Sequence, residues 1–283
     1  MTPQTIEAIR AHAVREFPRE ACGLLVVVRG REQYIACRNL AGNAGHFILS
    51  SEDYAEAENR GEIIAVVHSH PNGPATPSEA DRTACEASGL IWHIVPVSCA
   101  SGQPGAGEIV TLAPCGYEAP LVGREFSHGV NDCYQLVRDW YRRERGIELK
   151  NFMRIDGWWE RGENLYLKHY AEAGFYLVDG EPEEGDMIVM QIRSTQPNHA
   201  AVYLGDGLIL HHLYGRLSSR DVYGGYWKDV TRMIMRHRDM HCKADNRGRP
   251  ERRPDAPALF TETEKGGYPV AAGENGLPDG RLF

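Results

Sequence analysis

This chain has no CxxC pair, no apolar run long enough to cross a membrane, and no excess of positive charge. Each absence excludes a class of protein. The seven cysteines, Cys22, Cys37, Cys85, Cys99, Cys115, Cys133 and Cys242, are odd in number and scattered. That is neither a disulfide framework nor a structural zinc ribbon, so free thiols are expected, one of which can be a nucleophile. The longest apolar run, Leu24 to Val28, falls far short of the ~18 residues of a membrane span. Glu7, Arg10, His12, Arg15 and Glu16 interrupt the first nineteen residues. No signal-peptide core is visible there, so a protein that starts life in a cytoplasm is expected. The 31 Lys and Arg face 39 Asp and Glu, a formal charge of -8. That balance argues against a nucleic-acid binder and offers no basic patch for anionic lipid.

What is present is an ordinary globular composition, 42% hydrophobic and 25% charged, over 283 residues. At about 150 residues per domain, two domains are expected. In the first, periodicity predicts a helix over 3–17, strands over 23–28 and 33–38, and a helix over 51–60. A buried strand over 63–67 runs into a Pro- and Gly-rich loop, and a helix starts at Ser78. Strands over 90–97 and 108–112 close the block. Residues 113–123, with Pro114, Gly116, Pro120 and Gly123, read as a linker. Beyond it come helices over 131–145 and 164–173, then strands over 187–192, 199–204, 208–213 and 232–236. This predicts an α+β fold with domains at 1–112 and 124–240. Residues 241–283 lose apolar periodicity and read as a tail that is disordered or ordered only on a partner.

Two clusters carry chemistry. His68 and His70 flank Ser69 at the end of an apolar strand. Side chains at i and i+2 of a strand share a face, so two imidazoles can share one metal. Ser78 and Asp81 sit at i and i+3 on a helix. That spacing also suits a helix N-cap with an acidic residue in the first turn. Asp81 can be a third ligand, and Glu20, just before a strand, can reach the same centre. Two His, an Asp and one open position make a catalytic zinc site, beside which a carboxylate can serve as base.

The run His68-Ser69-His70, a seven-residue spacer from Pro71 to Pro77, Ser78, two residues and Asp81 resembles the JAMM (MPN) metallopeptidase family. Glu20-Ala21-Cys22-Gly23 is similar to that family's first motif. The resemblance implies a mixed sheet with flanking helices over roughly 1–112 and one zinc per chain, bound by His68, His70 and Asp81. It also implies Glu20 as general base and Ser78 as an oxyanion stabiliser.

The second cluster is Cys133, His199 and a further histidine. Asn131 or Asp132 can cap the helix that Cys133 opens. A thiol in a first turn feels the positive end of the helix dipole. His199 opens a strand and can act as its base, and His211 or His212 can orient the imidazole. If Asp206-Gly207 is a two-residue turn, Gly205 pairs with Leu208 and His212 shares the face of His199. A three-residue loop puts His211 there instead.

Asp132-Cys133, followed by His199-Ala200-Ala201-Val202-Tyr203-Leu204-Gly205, resembles the NlpC-type family of papain-like cysteine peptidases. In that family the third catalytic residue lies twelve positions after the His, here His211, with His212 in reserve. The resemblance implies a helix packed on an antiparallel sheet, with Cys133, His199 and His211 catalytic. Tyr134-Gln135 stand where the family usually has small residues, and Phe126, His128 and Gly129 occupy an altered upstream region.

A JAMM-type domain followed directly by an NlpC-type domain resembles a tail tip assembly family of lambda-like tailed phages. That resemblance implies peptidoglycan stem peptides as substrate and other phage tail tip proteins as partners. It implies residence in the host cytoplasm during assembly and in the virion tail tip. The alternatives are a peptidase that processes tail proteins and a structural assembly factor whose sites are idle.

Overall fold

The computed structural model describes residues 1–42, 45–100 and 102–240. The tail expected over 241–283, and Cys242 with it, lies outside the described residues. The fold is α+β, in two sheet-and-helix halves.

The first half opens with α1 (Pro3–Glu16). Thr2 caps it by accepting the Thr5 N–H, and Pro3 takes a first-turn position where no N–H is needed. Then come β1 (Cys22–Val28), β2 (Arg31–Cys37), α2 (Ser51–Arg60), β3 (Glu62–Pro71), α3 (Glu79–Ser88), β4 (Ile91–Ala100), β5 (Gln103–Ala106) and β6 (Val110–Leu112). The sheet runs β2-β1-β3-β4-β5, with β6 also on β4. β3 and β4 are parallel, and the other pairs are antiparallel. Alternation along β3 sorts the two faces. Ala65 and Val67 pack with Ile9 and Ala13 of α1. Val66 packs with Ala84, Cys85 and Trp92 on the opposite face. His68 and His70 follow Val66 on that face, under α3. The strand expected to stop at Val67 continues to Pro71, because β4 pairs beside it as far as Val97. The histidines are therefore held by a ladder rather than by a loop.

Residues 113–123 form no helix or strand. The second half starts with α4 (Cys133–Trp140), whose cap is Asp132, accepting the Gln135 N–H at 2.8 Å. The helix expected over 131–145 is shorter at its start and changes hand-hold at its end. Tyr141–Arg145 form a π-helical turn closed by Gly146, and this wider turn sends the Tyr141 hydroxyl inward to the Gly185 carbonyl. The helix expected over 164–173 is α5 (Leu165–His169) alone.

Next come β7 (Phe175–Val178), β8 (Met187–Met190), β9 (His199–Gly205), β10 (Leu208–His211), β11 (Ser219–Val222), α6 (Tyr226–Val230) and β12 (Thr231–His237). They form one antiparallel sheet in the order β11-β10-β9-β8-β12-β7. Leu136, Val137 and Trp140 of α4 pack on Val189, Ala200, Val202 and Leu210. Ala201 and Ile209 face the other way, with Ile188, Met190 and Tyr223.

The two halves touch. Val130 packs against the core of the first half, and the Glu125 amide donates to Glu79 Oε2 at 2.7 Å.

Candidate functional site

The first cluster gathers at the end of β3. His68 Nε2 lies 3.1 Å from Asp81 Oδ1, and His70 Nε2 lies 3.3 Å from Asp81 Oδ2. The two Nε2 atoms are 3.0 Å apart, and the three ligand atoms all fall within 4.8 Å of one another. Asp81 sits on α3 at the position that completes a capping box. Its N–H donates to Ser78 Oγ at 3.1 Å, and its Oδ2 accepts from the Ser78 N–H at 2.7 Å. Ser78 Oγ donates to the same Oδ2 at 2.8 Å. The cap and the cluster thus use the same aspartate.

The donor set suits a metal ion. His70 Nδ1 faces the Pro74 carbonyl at 2.7 Å. A carbonyl only accepts, so Nδ1 carries the proton and the Nε2 lone pair points into the cluster. His68 is clamped between Phe47, stacked at 4.9 Å, and Trp92, edge-on at 5.4 Å. Burial raises the Asp81 pKa, but Nε2 protons on His68 and His70, in whose place an ion would sit, donate to the carboxylate, outweigh burial and hold it well below its usual range. Two imidazole nitrogens and a carboxylate converging on one point are the hard-to-borderline donors that zinc takes.

Glu20 lines the same cavity of about 510 Å³, with His70, Ser78 and Asp81. Burial pushes its carboxyl up to about 8; His70 opposes the shift and Asp81 adds to it. The segment is pinned by Ser69, whose Oγ accepts the Ala21 N–H at 2.8 Å. That contact explains the serine between the two histidines. Gly23 is required where it is, because a Cβ there would collide with the Tyr34 ring and the Ile35 carbonyl. The opposite wall of the cavity comes from the second half, through Ser127 and His128.

The second cluster gathers at the start of β9. His199 Nε2 and His211 Nδ1 are 3.1 Å apart, and His211 Nε2 lies 3.0 Å from Asp221 Oδ2. The hairpin explains why His211 is the partner. Asp206 and Gly207 have φ of 51° and 69°, the pattern of a two-residue type I′ turn, and Gly205 pairs with Leu208. By itself this would aim His212 at His199. The register then shifts between Leu208 and Ile209, with Leu204 passed over, so that His211 pairs with Ala201. His211 thereby shares the face of Ala201 and His199. His212 turns to the opposite face, fully buried and edge-on to Phe126 at 5.1 Å.

Cys133 sits in the first turn of α4 over the beginning of β9. Its sulfur lies near the Ala200 N–H and meets the Tyr166 hydroxyl at 3.5 Å. Burial and the adjacent Asp132 carboxylate push the thiol up to about 11. Burial and the neighbouring His211 push His199 down to about 3. At neutral pH the pair rests as thiol and imidazole. Asp132 is held by the buried Arg154, with Nε to Oδ2 at 2.8 Å, and burial is outweighed so that its carboxyl falls to about 2.

Four contributors carry no signal in the sequence: Tyr166, Arg154, Asp221 and Trp227. Trp227 packs edge-on to the His211 ring at 4.5 Å. Each lies ten or more residues from the group it touches, and none belongs to a local motif.

The geometry agrees with the comparisons. Residues 2–110 match the family described as prokaryotic homologs of the JAB domain. Residues 123–236 match the NlpC/P60 family. The chain is 44% identical over 244 residues to the tail tip assembly protein K of Escherichia phage N15, covering 85% of this chain and 97% of that one. It is 41% identical over 197 residues to the tail tip assembly protein K of Escherichia phage lambda, covering 69% and 92%. With a JAB-type region followed by an NlpC/P60 region, and with that identity along nearly the whole length of both relatives, the chain belongs to the tail tip assembly protein K family.

Proposed function

We propose that this tail tip assembly protein hydrolyses peptidoglycan stem peptides through Cys133, His199 and His211, and carries a zinc-dependent JAMM-type isopeptidase or endopeptidase site at His68, His70 and Asp81. In this reading residues 1–112 and 124–240 are two peptidase domains joined by 113–123. The protein works with other tail tip proteins, in the host cytoplasm during assembly and at the virion tail tip.

The observation that carries the cysteine activity is the directed chain Asp221–His211–His199. A carboxylate oxygen only accepts, so His211 Nε2 carries the proton. His211 Nδ1 is then a lone pair, which accepts the Nε2–H of His199. In this reading the remaining His199 nitrogen, Nδ1, takes the Cys133 proton. The sulfur attacks the carbonyl carbon of the stem peptide and the C–N bond breaks. The leaving amine takes its proton from His199 Nδ1. Water, deprotonated by the same nitrogen, then cleaves the thioester and returns the thiol.

At the other centre a bound zinc ion supplies Lewis acidity toward a peptide carbonyl. Glu20, pushed up to about 8 by burial, exchanges protons near neutrality and suits a general base. Ser78 orients Asp81 through its hydroxyl, and that single proton would turn from Asp81 to a developing oxyanion.

Purified peptidoglycan incubated with wild type and with Cys133→Ala tests the reading. Stem-peptide fragments released by wild type and not by the variant are expected. Release by neither protein would refute it.

A further inference from the structure

The Cys133 sulfur has a neighbour that the mechanism above does not use. Tyr166, on α5, places its hydroxyl 3.5 Å from Sγ. Its ring is 8% exposed and is locked edge-on by Trp158 at 5.9 Å and Tyr134 at 6.5 Å. A buried phenol finds a hydrogen-bond partner, and for Tyr166 that partner is the reacting atom of the cysteine centre. Phenylalanine would fill the same space, so packing alone does not call for the hydroxyl.

The chemistry of the sulfur gives the contact a direction. A phenol has one donor and spare lone pairs. While Cys133 is a thiol, either group can donate. Once the S–H bond breaks and the proton passes to His199 Nδ1, the sulfur can only accept. Tyr166 then has to be the donor. The thiolate forms in a hostile place, because the Asp132 carboxylate belongs to the adjacent residue and the cysteine is partly buried. Arg154 answers Asp132 directly rather than the sulfur. What meets the sulfur is the Ala200 N–H and the Tyr166 hydroxyl. Hydrogen bonds to an ionised acceptor are the strong ones. Tyr166 also keeps its own proton, since burial raises its pKa well above the ordinary phenol value and the neighbouring Cys133 adds to this.

We infer that Tyr166 is a further catalytic residue of the cysteine centre, whose hydroxyl donates to the Cys133 sulfur and stabilises the thiolate as His199 takes the proton. The inference rests on Cys133 being the nucleophile. It does not rest on peptidoglycan being the substrate.

The test reads the thiol itself. The rate of alkylation of Cys133 by iodoacetamide is followed against pH in the full chain, resolved by site with peptide mass spectrometry. Wild type is compared with Tyr166→Phe and with a chain carrying meta-fluorotyrosine at 166, a stronger donor of nearly the same shape. Tyr166→Phe is expected to move the Cys133 midpoint up by about one pH unit, which is about tenfold slower alkylation below the midpoint. The fluorinated chain is expected to move it down. The exposed Cys99 and Cys115 should not change in either. Superimposed Cys133 profiles, or shifts shared by Cys99 and Cys115, would overturn the assignment. If Tyr166→Phe does not fold, the fluorinated chain, which keeps the hydroxyl, decides alone. A wild type that alkylates as expected yet cuts no peptidoglycan would remove the substrate reading and leave Tyr166 in place.

Discussion

His211 Nε2 lies 3.0 Å from Asp221 Oδ2, across the β10–β11 ladder, and this contact sets the direction of every proton in the cysteine centre. Ile209 pairs with Asp221 and Ser219 with His211, so the contact is a diagonal one on a single sheet face. With the carboxylate gone, His211 is free to protonate on Nδ1 instead. His199 then has no acceptor for its Nε2–H and can present the wrong nitrogen to sulfur. Asp221→Ala should therefore slow stem-peptide cleavage by roughly ten- to a hundredfold, the usual effect of removing a carboxylate behind a functional histidine. Nitrogen-15 imidazole spectra should show His211 shifting from the Nε2–H tautomer. Unchanged tautomers with unchanged rate would remove Asp221 from the chain.

His211 and His212 are adjacent in sequence and opposite in space, so paired substitutions separate them. His211→Ala should cost at least about a hundredfold in cleavage, because the base loses its orienting partner. His212→Leu should leave cleavage within about threefold. Among the described residues the His212 ring nitrogens lie near the Arg124 and Arg216 backbone but make no hydrogen bond of ordinary geometry, so replacing that imidazole with an apolar group should hold or raise the melting temperature. Equal losses from both variants would mean that the register shift at Leu208 does not decide the partner.

Metal content tests the first centre without any substrate. Wild type should contain one zinc per chain by elemental analysis, and the double variant His68→Ala, His70→Ala should contain none. Because an ion that binds only the folded state stabilises it by mass action, a chelator should lower the melting temperature of wild type and leave the double variant unmoved. Equal zinc in both proteins would place the ion elsewhere.

Stability should fall on acidification, and two of the groups responsible are buried in the second half. Asp132 is depressed to about 2 in the fold, against ~3.9 in an unfolded chain. Its contribution is present in full above the unfolded value and disappears as pH falls from about 4 toward 2. Its size is about 2 kcal/mol. His199, pushed to about 3 by burial, acts in the same direction. Below ~6.5 the unfolded chain takes up a proton that the folded chain refuses, so stability drops as pH falls from ~6.5 toward 3. Asp132→Asn leaves Arg154 buried and unpaired, so it should cost about 3–5 kcal/mol at neutral pH and remove the Asp132 part of the slope. Chemical denaturation at several pH values measures both effects.

The metal cluster was legible because its residues obey local periods. His68 and His70 share a face by strand alternation, and Asp81 is reached from Ser78 by one helical turn. The capping box and the ligand set did not compete, because Asp81 Oδ1 meets His68 while Oδ2 closes the cap and lies beside His70. The α+β architecture was legible for the same reason, since apolar periods of two and 3.6 residues mark its longer elements. The short strands β5, β7 and β11 and the helix α6 escaped, having only four or five residues each over which a period can show. The third member of the cysteine centre was undecided between His211 and His212. A turn type can be read from Asp206-Gly207, but a bulge that passes over Leu204 follows from how β9 packs on its neighbours. Tyr166, Arg154 and Asp221 were invisible because nothing local ties them to Cys133 or His199.

Release of stem-peptide fragments from purified peptidoglycan, measured with wild type after prior treatment with iodoacetamide and, separately, with a zinc chelator, tests the two-centre account most directly. Alkylation of Cys133 should abolish release, and chelation should leave most of it intact. Fragments that persist after Cys133 is fully alkylated, or that vanish with the chelator alone, would contradict the assignment of wall cleavage to Cys133, His199 and His211.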